Sequence, residues 1–187
     1  MVTPIILLII SLLVSLGLGY PSAFLAKRLN IMDVPGSAPH KQHASPTPLA
    51  GGILLISTLA VVMLIFRQSL SRDILTVFAG AAVIFVFGIW DDYKGLSARP
   101  KLIGQLMAVT ILISFGVHVH FMTVLSDAGL ISRAATEVLN ILITLFWVIG
   151  ITNAVNMVDS MDGIVAGLGT IAFAFFMGAT GLAHQTA

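Results

Sequence analysis

Six apolar runs, each close to the length that crosses a bilayer, leave this chain few ways to fold. They cover about residues 4–25, 48–66, 73–90, 101–118, 137–156 and 163–183. A spanning helix takes about 20 predominantly apolar residues. In hydrocarbon every backbone N–H and C=O must be satisfied within the protein, which leaves helices or closed barrels. Barrel strands alternate apolar and polar residues, and these runs do not, so they read as helices. The expected fold is all-α: a polytopic transmembrane bundle of about six spanning helices, one domain over residues 1–187. Composition agrees, at 58% hydrophobic and 9% charged. So little charge leaves no basic patch for nucleic acid. With no cysteine there is no disulfide, thiolate metal site or thiol nucleophile. The first run follows Met1-Val-Thr-Pro4 without a basic n-region and continues to Ala26 without a small-residue cleavage site, so it reads as a retained helix.

The basic residues give an orientation. With the N-terminus outside, the inner segments 26–47, 91–101 and 157–162 hold Lys27, Arg28, Lys41, Lys94, Arg99 and Lys101, against Arg67, Arg72 and Arg133 outside. That is a modest positive-inside bias. It places Asp91, Asp92, Asp159 and Asp162 at one membrane face, although the two pairs are far apart in sequence.

Acidic groups at the ends of membrane-length runs are costly to keep near lipid and read by default as functional. Grouped carboxylates suit a hard cation such as Mg²⁺ and, through it, a phosphate-bearing substrate. Asp91-Asp92 closes the third run. Adjacent helical side chains point about 100° apart, so both face one ion only where the helix ends, and Gly95 and Pro100 signal such an end. A solvated interfacial loop with Asp92 paired to Lys94 is an equal alternative. Residues 153–163 carry more: Asn153, Asn156, Asp159 and Asp162 recur every third residue. On a continuous helix Asn153 and Asp162 lie on opposite faces, so they converge only across a break, for which Asp162-Gly163 is a turn signal. Helix capping by Asp159, with Asp162 in the first turn of the last helix, accounts for the acids but not for two carboxamides inside the preceding apolar run.

In the loop 33–52, His40, Lys41 and His43 are candidate phosphate ligands, and Gly51-Gly52 open a helix whose N–H groups are free. Alone, this stretch reads more readily as a proline-stiffened loop. His118 and His120 lie at the opposite face and read as interfacial.

In order, these elements resemble one family, the polyprenyl-phosphate N-acetylhexosamine-1-phosphate transferases. The matching pieces are His40-x-x-His43 with Pro46-Thr-Pro-x-x-Gly-Gly52, Asp91-Asp92, and Asn153-x-x-Asn156-x-x-Asp159-x-x-Asp162-Gly163. The last is the most specific. Ser160 stands where the pattern has Gly, and Ile164 where it has Leu. The short interval between the aspartate motifs resembles the undecaprenyl-phosphate N-acetylglucosamine-1-phosphate branch more than the peptidoglycan phospho-N-acetylmuramoyl-pentapeptide translocases. Members usually carry ten or eleven spanning helices, so the resemblance implies that this chain corresponds to an N-terminal half.

The resemblance implies transfer of an N-acetylhexosamine-1-phosphate from a UDP-sugar to a polyprenyl phosphate such as undecaprenyl phosphate, releasing UMP. It implies a cytoplasmic site in a bacterial inner (plasma) membrane, in O-antigen, lipopolysaccharide, teichoic acid or related envelope synthesis. It implies Mg²⁺, with Mn²⁺ as alternative, held by Asp92 and Asp159. Asp91, Asp92 and Asp162 would be catalytic, with Asp91 the candidate general base. His40, Lys41, His43, Lys94, Asn153 and Asn156 would bind substrate. The partners are the lipid phosphate, the UDP-N-acetylhexosamine and membrane lipid, with a homodimer compatible. Two other classes stay open: a catalytically inactive scaffold of the same fold, and an ion-coupled transporter subunit, which predicts cation flux without nucleotide dependence.

Overall fold

The computed structural model describes residues 4–34, 45–67, 70–159 and 163–185. They form α1 (Pro4–Arg28), a minimal hairpin of β1 (Met32–Asp33) and β2 (Thr47–Pro48), then α2 (Gly51–Ile65), α3 (Arg72–Lys94), α4 (Ala98–Ser114), the short α5 (Thr123–Asp127), α6 (Arg133–Val158) and α7 (Ile164–Gln185). The all-α reading holds, and each of the six runs is a helix. Ile5–Arg28, Arg72–Lys94 and Arg133–Val158 are long and apolar enough to cross a membrane, while α2 and the stretch Ile164–Ala179 are shorter apolar helices.

Local chemistry sets the ends. Pro4 opens α1, where its missing N–H costs nothing. Asn30 closes it in the left-handed region at φ 56°. There the Ile31 N–H donates to the Ala26 carbonyl at 3.0 Å and the Asn30 N–H to Lys27 at 3.1 Å, a Schellman closure. The hairpin pairs Met32 with Pro48 and Asp33 with Thr47, so the first residues of α2 return to the C-terminal end of α1. Ser71 and Ser132 cap α3 and α6 by accepting from the Ile74 and Ala135 N–H groups, each at 3.2 Å.

The centre is the α3–α4–α6 packing. Along α3 and α4 the contacts run in opposite order: Gly80 meets Ala108 and Leu112, Phe87 covers Gly104, and Asp91 reaches Lys101. The two helices are therefore antiparallel. Small residues allow this approach, and Ala108 and Val109 are fully buried.

The fourth run departs from expectation. A helix over 101–118 is expected, but α4 ends at Ser114. Gly116 at φ 83° closes it, with the Val117 N–H donating to Leu112 at 2.8 Å and the Gly116 N–H to Ile113 at 3.0 Å. Residues 115–131 then run beside the first half of α6. Thr136, Asn140 and Thr144, spaced four apart, form a buried polar stripe on that face. The Met122 N–H donates to Asn140 Oδ1 at 2.9 Å, and the Val119 N–H to Thr144 Oγ1 at 3.0 Å. Irregular backbone at membrane depth needs such partners.

Candidate functional site

A cavity of about 200 Å³ opens at one end of the bundle between α3, α4 and α6, lined by Phe87, Asp91, Lys101, Gln105, Thr152 and Asn156 among others. Asp91 enters from the last turn of α3. Gly95, at φ 63°, turns the chain out of the helix while its N–H donates to the Asp91 carbonyl at 2.7 Å. The Asp91 carboxylate is engaged at both oxygens: Oδ1 accepts from the Leu96 N–H at 2.8 Å, and Oδ2 lies 2.7 Å from Lys101 Nζ. Asp91 thus ties the α3–α4 turn together and holds Lys101 at the cavity.

One turn further along α4, Gln105 meets α6. The Asn153 Nδ2 donates to Gln105 Oε1 at 2.8 Å and to the Ile149 carbonyl at 2.8 Å, and Gln105 Nε2 approaches Asn153 Oδ1 at 3.4 Å. This reciprocal amide pair fixes the register of α4 on α6. It presents Asn156 to the same cavity as Asp91.

Asp92 is exposed on α3, about 100° around the helix from Asp91, and does not line the cavity. Lys94 is exposed in the last turn of α3. Asp159 does not N-cap the last helix; it stands at the C-cap of α6, exposed, its N–H donating to Val155 at 3.1 Å. The interruption expected in this stretch is present, since α6 ends at Val158 and α7 begins at Ile164 after Gly163 at φ 80°. His40, Lys41, His43 and Asp162 lie outside the described residues. His118 and His120 sit in the 115–131 segment, their rings 4.5 Å apart, with His118 Nε2 3.4 Å from Glu137.

Lys101, Gln105 and Thr152 belong to the cavity and were not singled out in the sequence. Lys101 counted only as a topological charge. The available signal was spacing: Lys101 with Gln105 and Thr152 with Asn156 are polar pairs four apart inside apolar runs.

The donor chemistry suits a hard divalent cation. Asp92 and Asp159 are exposed residues in the last turn of α3 and at the C-cap of α6. Among the described residues no three His, Asp or Glu groups stand together to hold a metal alone. Mg²⁺ is ordinarily held by one or two carboxylates together with substrate phosphates, so a pair is the arrangement to look for.

Residues 74–186 match the model of the family described as glycosyl transferase family 4. The chain belongs to that family. The decaprenyl-phosphate N-acetylglucosaminephosphotransferase of Mycobacterium leprae is 35% identical over 156 residues, covering 79% of this chain and 38% of its own length. A probable undecaprenyl-phosphate N-acetylglucosaminyl 1-phosphate transferase of Bacillus subtilis is 29% identical over 171 residues, covering 91% of this chain and 46% of its own. The phospho-N-acetylmuramoyl-pentapeptide-transferase of Listeria innocua is 33% identical over 147 residues, covering 71% and 44%. This family 4 member therefore spans less than half the length of these relatives. No solved structure matches it. Family membership and the three spanning-length helices together make it a membrane protein.

Proposed function

We propose that this chain carries the phosphate- and metal-handling end of a polyprenyl-phosphate N-acetylhexosamine-1-phosphate transferase, facing the cytoplasm from the plasma membrane. One observation carries the reading: Asp91, Lys101 and Asn156, drawn from three helices, line one cavity, and two further exposed carboxylates stand at the ends of two of those helices. The relatives' printed activities on decaprenyl or undecaprenyl phosphate support the substrate class.

In this reading an oxygen of the lipid phosphate attacks the sugar-linked phosphorus of the UDP-sugar. The new P–O bond makes a polyprenyl diphosphate sugar, the P–O bond to the uridine-bearing phosphate breaks, and UMP leaves. Such transfer needs alignment and charge neutralisation more than covalent help. A bound Mg²⁺, held by Asp92 and Asp159, would supply charge stabilisation on the diphosphate. Lys101, paired with Asp91, brings ammonium N–H groups to phosphate at the cavity, and Lys94 stands in the last turn of α3. The attacking lipid phosphate is largely dianionic at neutral pH, its second pKa being about 6. It needs no strong base, and Asp91, engaged at both oxygens, serves to hold Lys101 and the α3–α4 turn. Asn153 sets the α4–α6 register and Asn156 meets substrate.

The test is UMP release from UDP-N-acetylglucosamine by the purified chain with undecaprenyl phosphate in detergent. The reading expects release that stops with EDTA and returns with Mg²⁺. No release from this chain, with full-length relatives active under the same conditions, removes transfer as an activity of these six long helices and leaves the inactive-scaffold alternative.

A further inference from the structure

We propose that His118 and Glu137 form a proton-operated latch that fastens the 115–131 segment to the first half of α6, at the end of the bundle away from Asp91. This does not depend on the transfer reading, whose groups stand at the other end of α6. Glu137 and Asn156 are about 19 residues apart on that helix, roughly 28 Å at about 1.5 Å per residue.

The backbone of the segment is tied to α6 by the Val119 and Met122 N–H groups, which donate to Thr144 and Asn140. Phe121 adds an edge-on ring contact with Trp147, centroids 6.2 Å apart. His118 stands beside the first of these ties, and its imidazole is the unfinished part of the joint. Its side chain is 10% exposed, and neither ring nitrogen has a hydrogen-bond partner among the described residues. Nε2 nevertheless lies 3.4 Å from Oε1 of Glu137, whose side chain is 56% exposed. A buried polar group without a partner is costly. A proton on the imidazole turns Nε2–H into a cationic donor facing a carboxylate, and charge-assisted contacts are stronger than neutral ones. The carboxylate keeps water on its other side, so the contact does not require burying both charges.

The surroundings decide where the proton goes. The His120 ring is 4.5 Å from that of His118, so two imidazolium charges oppose each other and one proton serves the pair. His120 is exposed and has no ion-pair partner among the described residues, so His118 holds the proton. The other charged groups at this end are Arg133 on α6, Asp127 at the end of α5, and Arg72 and Asp73 at the start of α3, all exposed. Arg72 lies over the Phe115 ring, 5.2 Å from its centroid. Among the described residues none of these four pairs with His118. Histidine is the side chain that ordinarily changes charge between about pH 5 and 8. Acidification therefore closes the latch, and alkaline conditions release it. In the orientation proposed above, this end meets the outer medium.

The test is hydrogen exchange of the full chain in phosphatidylcholine nanodiscs at about pH 8, about 6.5 and about 5.5, with labelling times scaled for the intrinsic rate. Protection of peptides covering 115–131 is expected to rise about threefold or more from the highest pH to the lowest, the scale of one ion pair. Peptides of α1 should stay flat. Glu137→Gln and His118→Gln should each abolish the rise, and His120→Gln should keep it. Glu137 is exposed, so its variant removes the charge without disturbing packing and decides the matter even where His118→Gln fails to fold. Flat protection in the unaltered chain, or protection that falls on acidification, overturns the proposal. So does a rise that survives Glu137→Gln, one that is lost in His120→Gln, or one that α1 shares.

Discussion

The two ends of α6 carry polar residues of the same kinds and use them in opposite ways. Near its start, Thr136, Asn140 and Thr144 are buried, and Asn140 and Thr144 accept backbone N–H groups of the 115–131 segment. Near its end, Thr152 and Asn156 line a cavity, and Asn153 is paired with Gln105 beside them. A carboxamide inside an apolar run is therefore not functional by virtue of its cost alone. What separates Asn140 from Asn156 is that a backbone N–H occupies the first, whereas the second lines a cavity. An unsatisfied buried polar group is expensive, which is reason enough for the first end to exist.

Substitutions can break that contrast. The largest effect is expected from Asp92→Asn and Asp159→Asn: loss of transfer of about 100-fold or more, the scale of removing a charge-stabilising group from a reaction centre, with thermal stability unchanged. Near-normal turnover in either variant would take that residue out of the site. Asn140→Leu, at the other end, should cost about 1–3 kcal/mol in a denaturation series because the Met122 N–H loses its acceptor, while activity per folded molecule persists. Gly104→Ala tests the boundary between the two behaviours. A Cβ there would come within 2.5 Å of the Phe87 ring. The ring must move at the cavity wall, with an overpacking cost of about 1–3 kcal/mol and a fall in turnover beyond what lost stability explains. The smallest effect belongs to Thr58→Val. The Thr58 hydroxyl is buried without a hydrogen-bond partner among the described residues, so an apolar isostere should leave stability within about 0.5 kcal/mol or raise it slightly.

Much of this was legible in the sequence because it rests on local rules. Apolar length marked all six helices, and Gly95 and Gly163, read as turn signals, take the left-handed φ values of 63° and 80° that favour a residue without a side chain. The motif spacing marked Asp91 and Asn156, and the two share a cavity. Asp159 misled as a helix start because Asp caps starts more often than ends, whereas α6 runs on to Val158 before the break. The end of α4 and the short α5 were hidden because Val117, Val119 and Phe121 are apolar enough to extend the run, and only the partners on α6 make the irregular path affordable. Lys101 was hidden for a different reason: its meaning depends on Asp91 across an antiparallel pair, a tertiary relation that no single-helix pattern contains.

In the proposed reading, the Asn156 end of α6 serves chemistry and the Asn140 end serves architecture. The most direct test measures EDTA-sensitive UMP release, normalised to folded protein, for Asn156→Leu and Asn140→Leu side by side. Strong loss is expected in the first with stability retained, and retained release in the second with stability lowered. Equal losses, or loss only in Asn140→Leu, would contradict it.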